Sequence, residues 1–429
     1  MTLNSRLTRS HANSYYASSA NLHFDCERLK GENSADVCIV GAGFTGISAA
    51  LHLAEKGYDV TVVEANKVGW GASGRNGGQM IGGISGENKL ASSLDASGPS
   101  LIWDLRWAGH RIIRERVETY AIDCDLKHGY VDVAIKPRHL RSLEEEYRYL
   151  GEHKYPFEFR LLSKEQTQEM IGTEAYVGAL LNMGNGHLHP LNLCLGEASA
   201  AMSLGAKIYE GSPVIRIERD KKATVVTDEG SVTAASIILA GNAYHFLEPS
   251  LRGNLLPVNS FIVASEPLCE KLIKEINPCD IAVCDPNYIL TYFRLSGDGR
   301  LLFGGRFTYF GSDPEVIKQN LVPRLLKIYP QLEKTKFEFG WGGTIGVPIN
   351  RVPQMGKLAK NIYYSQGYSG HGVNVTHLAG KLLSEAVAGT MERFDIFANI
   401  KPLTIPGQHL FRNQLVALGM IYYKLIDSL

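Results

Sequence analysis

Asp36-Val37-Cys38-Ile39-Val40-Gly41-Ala42-Gly43-Phe44-Thr45-Gly46 decides the fold of this chain. Val37 to Val40 have the unbroken apolar character of a parallel strand buried on both faces. A glycine turn follows at once, then an amphipathic helix predicted over 47–56 and a second strand over 59–63 that ends on Glu64. Gly41 permits the tight strand-to-helix turn, Gly43 lets a pyrophosphate approach the backbone, and Gly46 allows close helix–strand packing. The helix N-terminus offers free N–H groups and the positive end of its dipole to phosphates. Glu64 lies 18 residues beyond Gly46, where an acid accepts a hydrogen bond from a ribose hydroxyl. An acid here also disfavours a 2′-phosphate. Strand, turn, helix, strand and acid together specify a dinucleotide-binding unit far better than the glycines alone.

Outward from this unit, the glycines of Gly71-Ala72-Ser73-Gly74-Arg75-Asn76-Gly77-Gly78-Gln79 imply a loop running close to something flat or charged. Helices are predicted over 96–120, 139–150 and 191–204, the last opened by Pro190 after His187-Leu188-His189. The two histidines lack a third ligand at a recognisable spacing, so they read as a helix entry with one histidine near the ligand, not as a metal site. Glu144-Glu145-Glu146 reads as a solvated helix face. Strands are predicted over 207–210, 214–219, 223–227 and 236–240, then a strand-rich stretch at 260–265, 289–295 and 300–304 that would form a second sheet capping the cofactor. A strand over 361–364 runs into a second glycine-rich helix start, with the helix predicted over 373–388.

The bulk properties exclude several classes. At 429 residues the chain has room for two or three domains. Lys plus Arg equals Asp plus Glu, 44 each, so no net charge draws the chain to nucleic acid. Seven scattered cysteines without a C-x-x-C pair read as reduced thiols of a cytoplasmic protein. No run approaches the roughly 18 apolar residues that a spanning helix needs. An amphipathic C-terminal helix over 406–429 reads as packing on the body of the protein, with surface docking on a membrane as the alternative.

A nicotinamide enzyme usually needs one glycine turn; this chain has one near each end. A long two-part cofactor would use both, the first helix start holding the pyrophosphate and the last meeting a reactive ring that gains negative charge on reduction. FAD fits that better than NAD.

Five motifs then make the sequence resemble the D-amino-acid oxidase superfamily of flavoproteins, which includes glycine and sarcosine oxidases. They are Ser14-Tyr15-Tyr16-Ala17-Ser18-Ser19-Ala20-Asn21, the 71–79 loop, His187-Leu188-His189-Pro190-Leu191-Asn192-Leu193, Ala240-Gly241-Asn242-Ala243-Tyr244 and Gln366-Gly367-Tyr368-Ser369-Gly370-His371-Gly372. Within it the chain resembles the γ-glutamylputrescine oxidases along nearly its whole length. The resemblance implies an α/β fold: a discontinuous Rossmann-like FAD-binding domain (36–90, 165–255 and 335–405) after an N-terminal arm (1–35), and an antiparallel-sheet substrate domain (91–164 and 256–334).

It also implies a site. FAD would be held by Gly41, Gly43, Phe44, Thr45, Gly46, Glu64 and Ala65, by Gly71, Ala72, Ser73, Arg75, Asn76, Gly77, Gly78 and Gln79, by Val214 and Gly241, and by Gly370, His371, Gly372 and Val373. His371 would tune the flavin or handle protons, while Tyr288, Tyr292 and Arg294 would fall on a strand facing it. The implied reaction is oxidation of a primary amine to an imine that hydrolyses to aldehyde and ammonia. Oxygen or another acceptor, such as a quinone or partner protein, would take the electrons.

Two departures matter. Sarcosine oxidases tether FAD through a cysteine shortly before the last glycine motif; 330–372 contains none, so the flavin should be non-covalent. Amino-acid oxidases carry an arginine just after Trp-x-Gly, where this chain has Thr344-Ile345. Neither side chain replaces an arginine–carboxylate fork. Arg351 lies later, and an α-carboxylate beside the reacting carbon is not expected.

Overall fold

The computed structural model describes residues 10–94, 98–219, 222–244, 247–306, 311–404, 414, 417–419, 422 and 425–427. Two sheets organise it. In the first, strands run in the order 354–359, 362–366, 230–239, 31–40, 60–63 and 207–209, parallel except the 354–359 edge, and the antiparallel strands 223–226 and 216–219 join it beside 230–239. Gly31–Val40 is central, with Val37 to Ile39 buried between Val60–Val63 and Gly230–Leu239. Its strand begins at Gly31, inside what the sequence assigns to an N-terminal arm.

The helices Phe44–Ala54, Gly98–Thr119, Pro190–Ser203 and Gly372–Val387 pack together beside this sheet. Small residues let them cross closely. A Cβ on Gly380 would come within 2.5 Å of Ser48, and one on Gly109 within 1.9 Å of the Asn374 carbonyl. At their junction the fully buried Glu197 carboxylate meets Arg116 at 2.8 Å and His377 at 3.1 Å. Arg116 also donates to Oγ and the carbonyl of Ser48. The two glycine helix starts, more than 300 residues apart in sequence, are thereby neighbours: Thr45 Oγ1 and Tyr368 OH share a 2.7 Å hydrogen bond.

The second sheet runs 337–347, 256–265, 301–305, 291–295, 282–284, 127–134, 178–187 and 79–80, with 159–162 beside 178–187. Its pairs are antiparallel except Ala282–Cys284 with Lys127–Ala134. This redraws the expected domains. Gln79–Met80, Gly178–His187 and Phe337–Val347, assigned by sequence to the FAD-binding domain, are strands of the second sheet. Gly98–Thr119, assigned to the substrate domain, packs on the first sheet's helices. Glycine-rich strands such as Phe337–Val347 carry little strand signal of their own and are fixed by their partners.

Most of the 406–429 helix lies outside the described residues; those described there are helical. The Asp427 carboxylate accepts the backbone N–H groups of Tyr288 and Ile289, both at 2.9 Å. Among the described residues no helix is long and apolar enough to cross a membrane.

Candidate active site

A cavity of about 1930 Å³ runs between the two sheets. Single ligand pockets usually measure roughly 300–1,000 Å³, so this one has room for a dinucleotide and a substrate together.

Its cofactor end begins at the first glycine turn. Gly41 has φ +109°, a conformation side chains avoid, and its N–H bonds to Val63 O at 2.9 Å. A Cβ on Gly46 would lie 1.9 Å from Gly41 O, so Gly46 serves packing behind the turn and does not line the cavity. Gly43, Phe44 and Thr45 do line it, at the positive end of the helix Phe44–Ala54. Ser73 Oγ accepts the Phe44 N–H at 2.9 Å, tying the 71–79 loop to the turn.

Glu64 lines the cavity with both carboxylate oxygens already engaged, Oε2 by the Ala42 N–H and Oε1 by the Asn66 N–H, each at 2.8 Å. Burial raises its pKa, which the bonds from Ala42 and Asn66 oppose. Each oxygen keeps lone-pair capacity for a further donor. Ala65, Gly71, Ala72, Ser73, Arg75, Asn76, Gly77, Gln79, Val214 and Gly241 all border the same space. Gly78 does not: it has φ +69° and backs onto Leu188 O and Arg294.

The last helix start borders the cavity through Gly370, His371, Gly372 and Val373. Gly370 has φ +103°, and His371 is the residue that caps the helix Gly372–Val387. Burial, then Arg306, Arg106 and Arg351, lowers the His371 pKa to about 4, so the imidazole is neutral near pH 7. Its Nδ1 is buried without a partner among the described residues.

The second sheet forms the remaining wall. Tyr292 presents its ring beside Gly77 and Gly304, where a Cβ would approach it to 2.5 and 2.1 Å, and its hydroxyl meets Ser260 Oγ at 3.2 Å. Arg294, expected from sequence to face the flavin, does not border the cavity. Tyr292 and Arg294 share one face of Thr291–Leu295, but Arg294 lies further along it, covered by the 71–79 loop. Only 2% exposed, it donates to the carbonyls of Gly77, Leu188 and Leu295 and to Tyr16 OH. It locks the 71–79 loop and the N-terminal segment in place. His187 and His189 are corrected likewise, because neither borders the cavity: His187 meets Asp280 O at 2.9 Å, and His189 Nδ1 accepts the Asn192 N–H to cap Pro190–Ser203.

Thr344 and Ile345 line the cavity, and so do two arginines: Arg306, and Arg351 at φ +60°. Arg306 Nε is buried with no partner among the described residues, and its Nη1 reaches only Tyr288 O at 3.5 Å. Sequence reasoning missed Arg306, and also Arg106, Asp132 and Glu146. Glu146 was read as solvated; it accepts from Arg106 at 2.6 Å and borders the cavity. Asp132, a lone acid between Val131 and Val133 in an apolar strand, carried a signal in its pattern. Cys284, the cysteine among the described lining residues, has its thiol pushed up by burial and by Asp285 and Asp132. It is a poor nucleophile and an unpromising tether.

A two-helix-start cradle around one long cavity defines a dinucleotide-binding oxidoreductase that uses a flavin. The chain belongs to the family described as FAD dependent oxidoreductase, whose model matches residues 36–386. It is 42% identical to the gamma-glutamylputrescine oxidoreductase of Escherichia coli (strain K12), over 98% of this chain and 99% of that one. It is 38% identical to a probable oxidoreductase OrdL of Haemophilus influenzae, over 97% and 98% of the two chains. Glycine oxidase from Geobacillus kaustophilus superposes with a TM-score of 0.71 at 21% identity, over 86% of this chain and all of that structure, a likeness of fold. The protein is an FAD-dependent oxidoreductase.

Proposed function

We propose that this enzyme oxidises the terminal primary amine of γ-glutamylputrescine, giving γ-glutamyl-γ-aminobutyraldehyde and ammonia, in putrescine catabolism. The observation that carries the reading is the length of the cavity beyond Tyr292: it continues along the second sheet to Asp132, Asn182 and Glu146, past the needs of an amino acid. Chain-long similarity to a gamma-glutamylputrescine oxidoreductase supports it.

Gly41, Gly43 and the first turn of Phe44–Ala54 would hold the pyrophosphate, and Glu64 a ribose hydroxyl. FAD bound there supplies a two-electron acceptor for the C–H bond beside the amine. The chain's own residues orient that amine. Arg306, then Arg106 and Arg351, put positive charge around His371, which disfavours an ammonium at the reacting carbon and favours the neutral amine the reaction needs. His371, neutral and bordering the cavity, would exchange a proton with it. Tyr292 shapes the pocket wall. The imine leaves as aldehyde and ammonia after water adds. Free cysteines fit a cytoplasmic location.

Arg306 and Arg351 favour one second reading, oxidation of an amino acid whose carboxylate they would bind. Stopped-flow reduction separates the two. γ-Glutamylputrescine should reduce the flavin far faster than D-alanine, glycine, sarcosine or free putrescine; equal rates with any of these defeat the proposal. Assaying peroxide beside dye reduction identifies the acceptor.

A further inference from the structure

We propose that Asp132 binds a second, positively charged amino group on the substrate, at the end of the cavity away from the reacting amine: the α-ammonium of the glutamyl head. The inference rests on the functional reading above and deepens it. Its basis is a row of residues across the second sheet. Tyr292 stands opposite Cys284, and Cys284 stands opposite Asp132, on adjacent strands. Directly opposed residues point to one face, and all three border the cavity. Two strand spacings separate Tyr292 from Asp132, about 10 Å. In γ-glutamylputrescine about nine bonds, roughly 11 Å when extended, separate the reacting carbon from the α-nitrogen. The spans match.

Charge completes the case. The Asp132 carboxylate accepts one hydrogen bond, from Tyr130 OH at 3.0 Å, and meets no cation within ion-pair distance among the described residues. Arg106 is the nearby cation, and its Nη1 and Nη2 already serve Glu87 and Glu146. Three carboxylates thus surround one guanidinium here, while Arg306 and Arg351 lie beside His371, which the Arg106 charge also reaches. An enclosed carboxylate without a cation is costly, and a ligand ammonium supplies the missing charge. Arg106 itself borders the cavity beside these carboxylates. The polarity orients the substrate: an ammonium is favoured at Asp132, a neutral amine beside Arg306.

The test uses the holoenzyme and Asp132→Asn, which keeps size and an acceptor for Tyr130. Two substrates are compared, γ-glutamylputrescine and glutarylputrescine, which lacks only the α-amino group. Removing one charged hydrogen bond should cost about 10- to 100-fold in kcat/KM. We expect that loss for the variant with γ-glutamylputrescine, a similar loss for wild type with glutarylputrescine, and little further change when both are combined. γ-Glutamylbutylamide, which has no amine to oxidise, reports binding through its perturbation of flavin absorbance, and its Kd should rise by the same factor in the variant. Equal losses on both substrates, or none on either, overturn the role of Asp132. Wild type that fails to turn over γ-glutamylputrescine yet binds γ-glutamylbutylamide in an Asp132-dependent way refutes the functional reading and leaves this subsite standing.

Discussion

Glu64→Ala removes one carboxylate that does two jobs. Its oxygens hold the N–H groups of Ala42 and Asn66 at 2.8 Å each, fixing the turn before any cofactor arrives. It is also the proposed acceptor for a ribose hydroxyl. Loss of that charged bond should weaken FAD by roughly 1.5–3 kcal/mol. The dissociation constant should therefore rise about 10- to 150-fold. Stripping two backbone donors of their acceptor adds a separate loss in the apoprotein. Because Glu64 is only half-buried, water can replace part of it, and about 1–2 kcal/mol of unfolding free energy is expected. The two effects are measured apart: FAD titration of deflavinated protein by quenching of flavin fluorescence, and urea unfolding of the same apoprotein. Acid precipitation of the holoenzyme should also release all the flavin. A folded variant whose FAD dissociation constant stays within about threefold of wild type would refute the assignment of Glu64 to the ribose.

Further expectations follow from the same geometry. Glu197→Ala leaves the Arg116 guanidinium buried without its anion, so urea unfolding should show a loss of about 3–5 kcal/mol; a loss below about 1 would mean that the pair is dispensable. Although burial alone would raise it, His377 and Arg116 hold the Glu197 carboxyl down at about 2. That stabilisation is complete above the unfolded value of 4.5 and lost as pH falls towards 2, which acid titration of the fold should detect. Burial pushes Asp132 up to about 7, with Glu146 adding to the rise and Tyr130 and Arg106 opposing it. The ionised form binds an ammonium, so kcat/KM should fall more steeply below pH 7 than above it, and Asp132→Asn should remove that change of slope. Gly372→Pro keeps a residue suited to the first helical turn but deletes an N–H beside His371; rapid-reaction kinetics should show slower flavin reduction with FAD largely retained, and unchanged reduction in a holo variant would place the flavin ring elsewhere.

The strand–turn–helix at 36–56, the acid at Glu64 and the second glycine helix start were legible because each depends on local chemistry. Only glycine takes φ +109° at Gly41 without strain, only a residue lacking Cβ fits at Gly46, and a buried parallel strand must be apolar wherever it sits. Those rules hold before the chain has folded, and with the five motifs they carried the flavin and the class of reaction. What tertiary structure alone decided was company and direction. Phe337–Val347 and Gly178–His187 joined the second sheet because of the strands they found there. Arg294, two residues from Tyr292 on the same face of that strand, was shut out of the cavity because the 71–79 loop and Tyr16 cover it. Arg106, Asp132, Glu146 and Arg306 come from a helix, a strand, another helix and a strand's end, 200 residues apart at the extremes. Nothing in their local sequence says that they share a cavity. Their charges acquire meaning only when folding removes water from between them, since in the open chain each would be solvated and indifferent to the others.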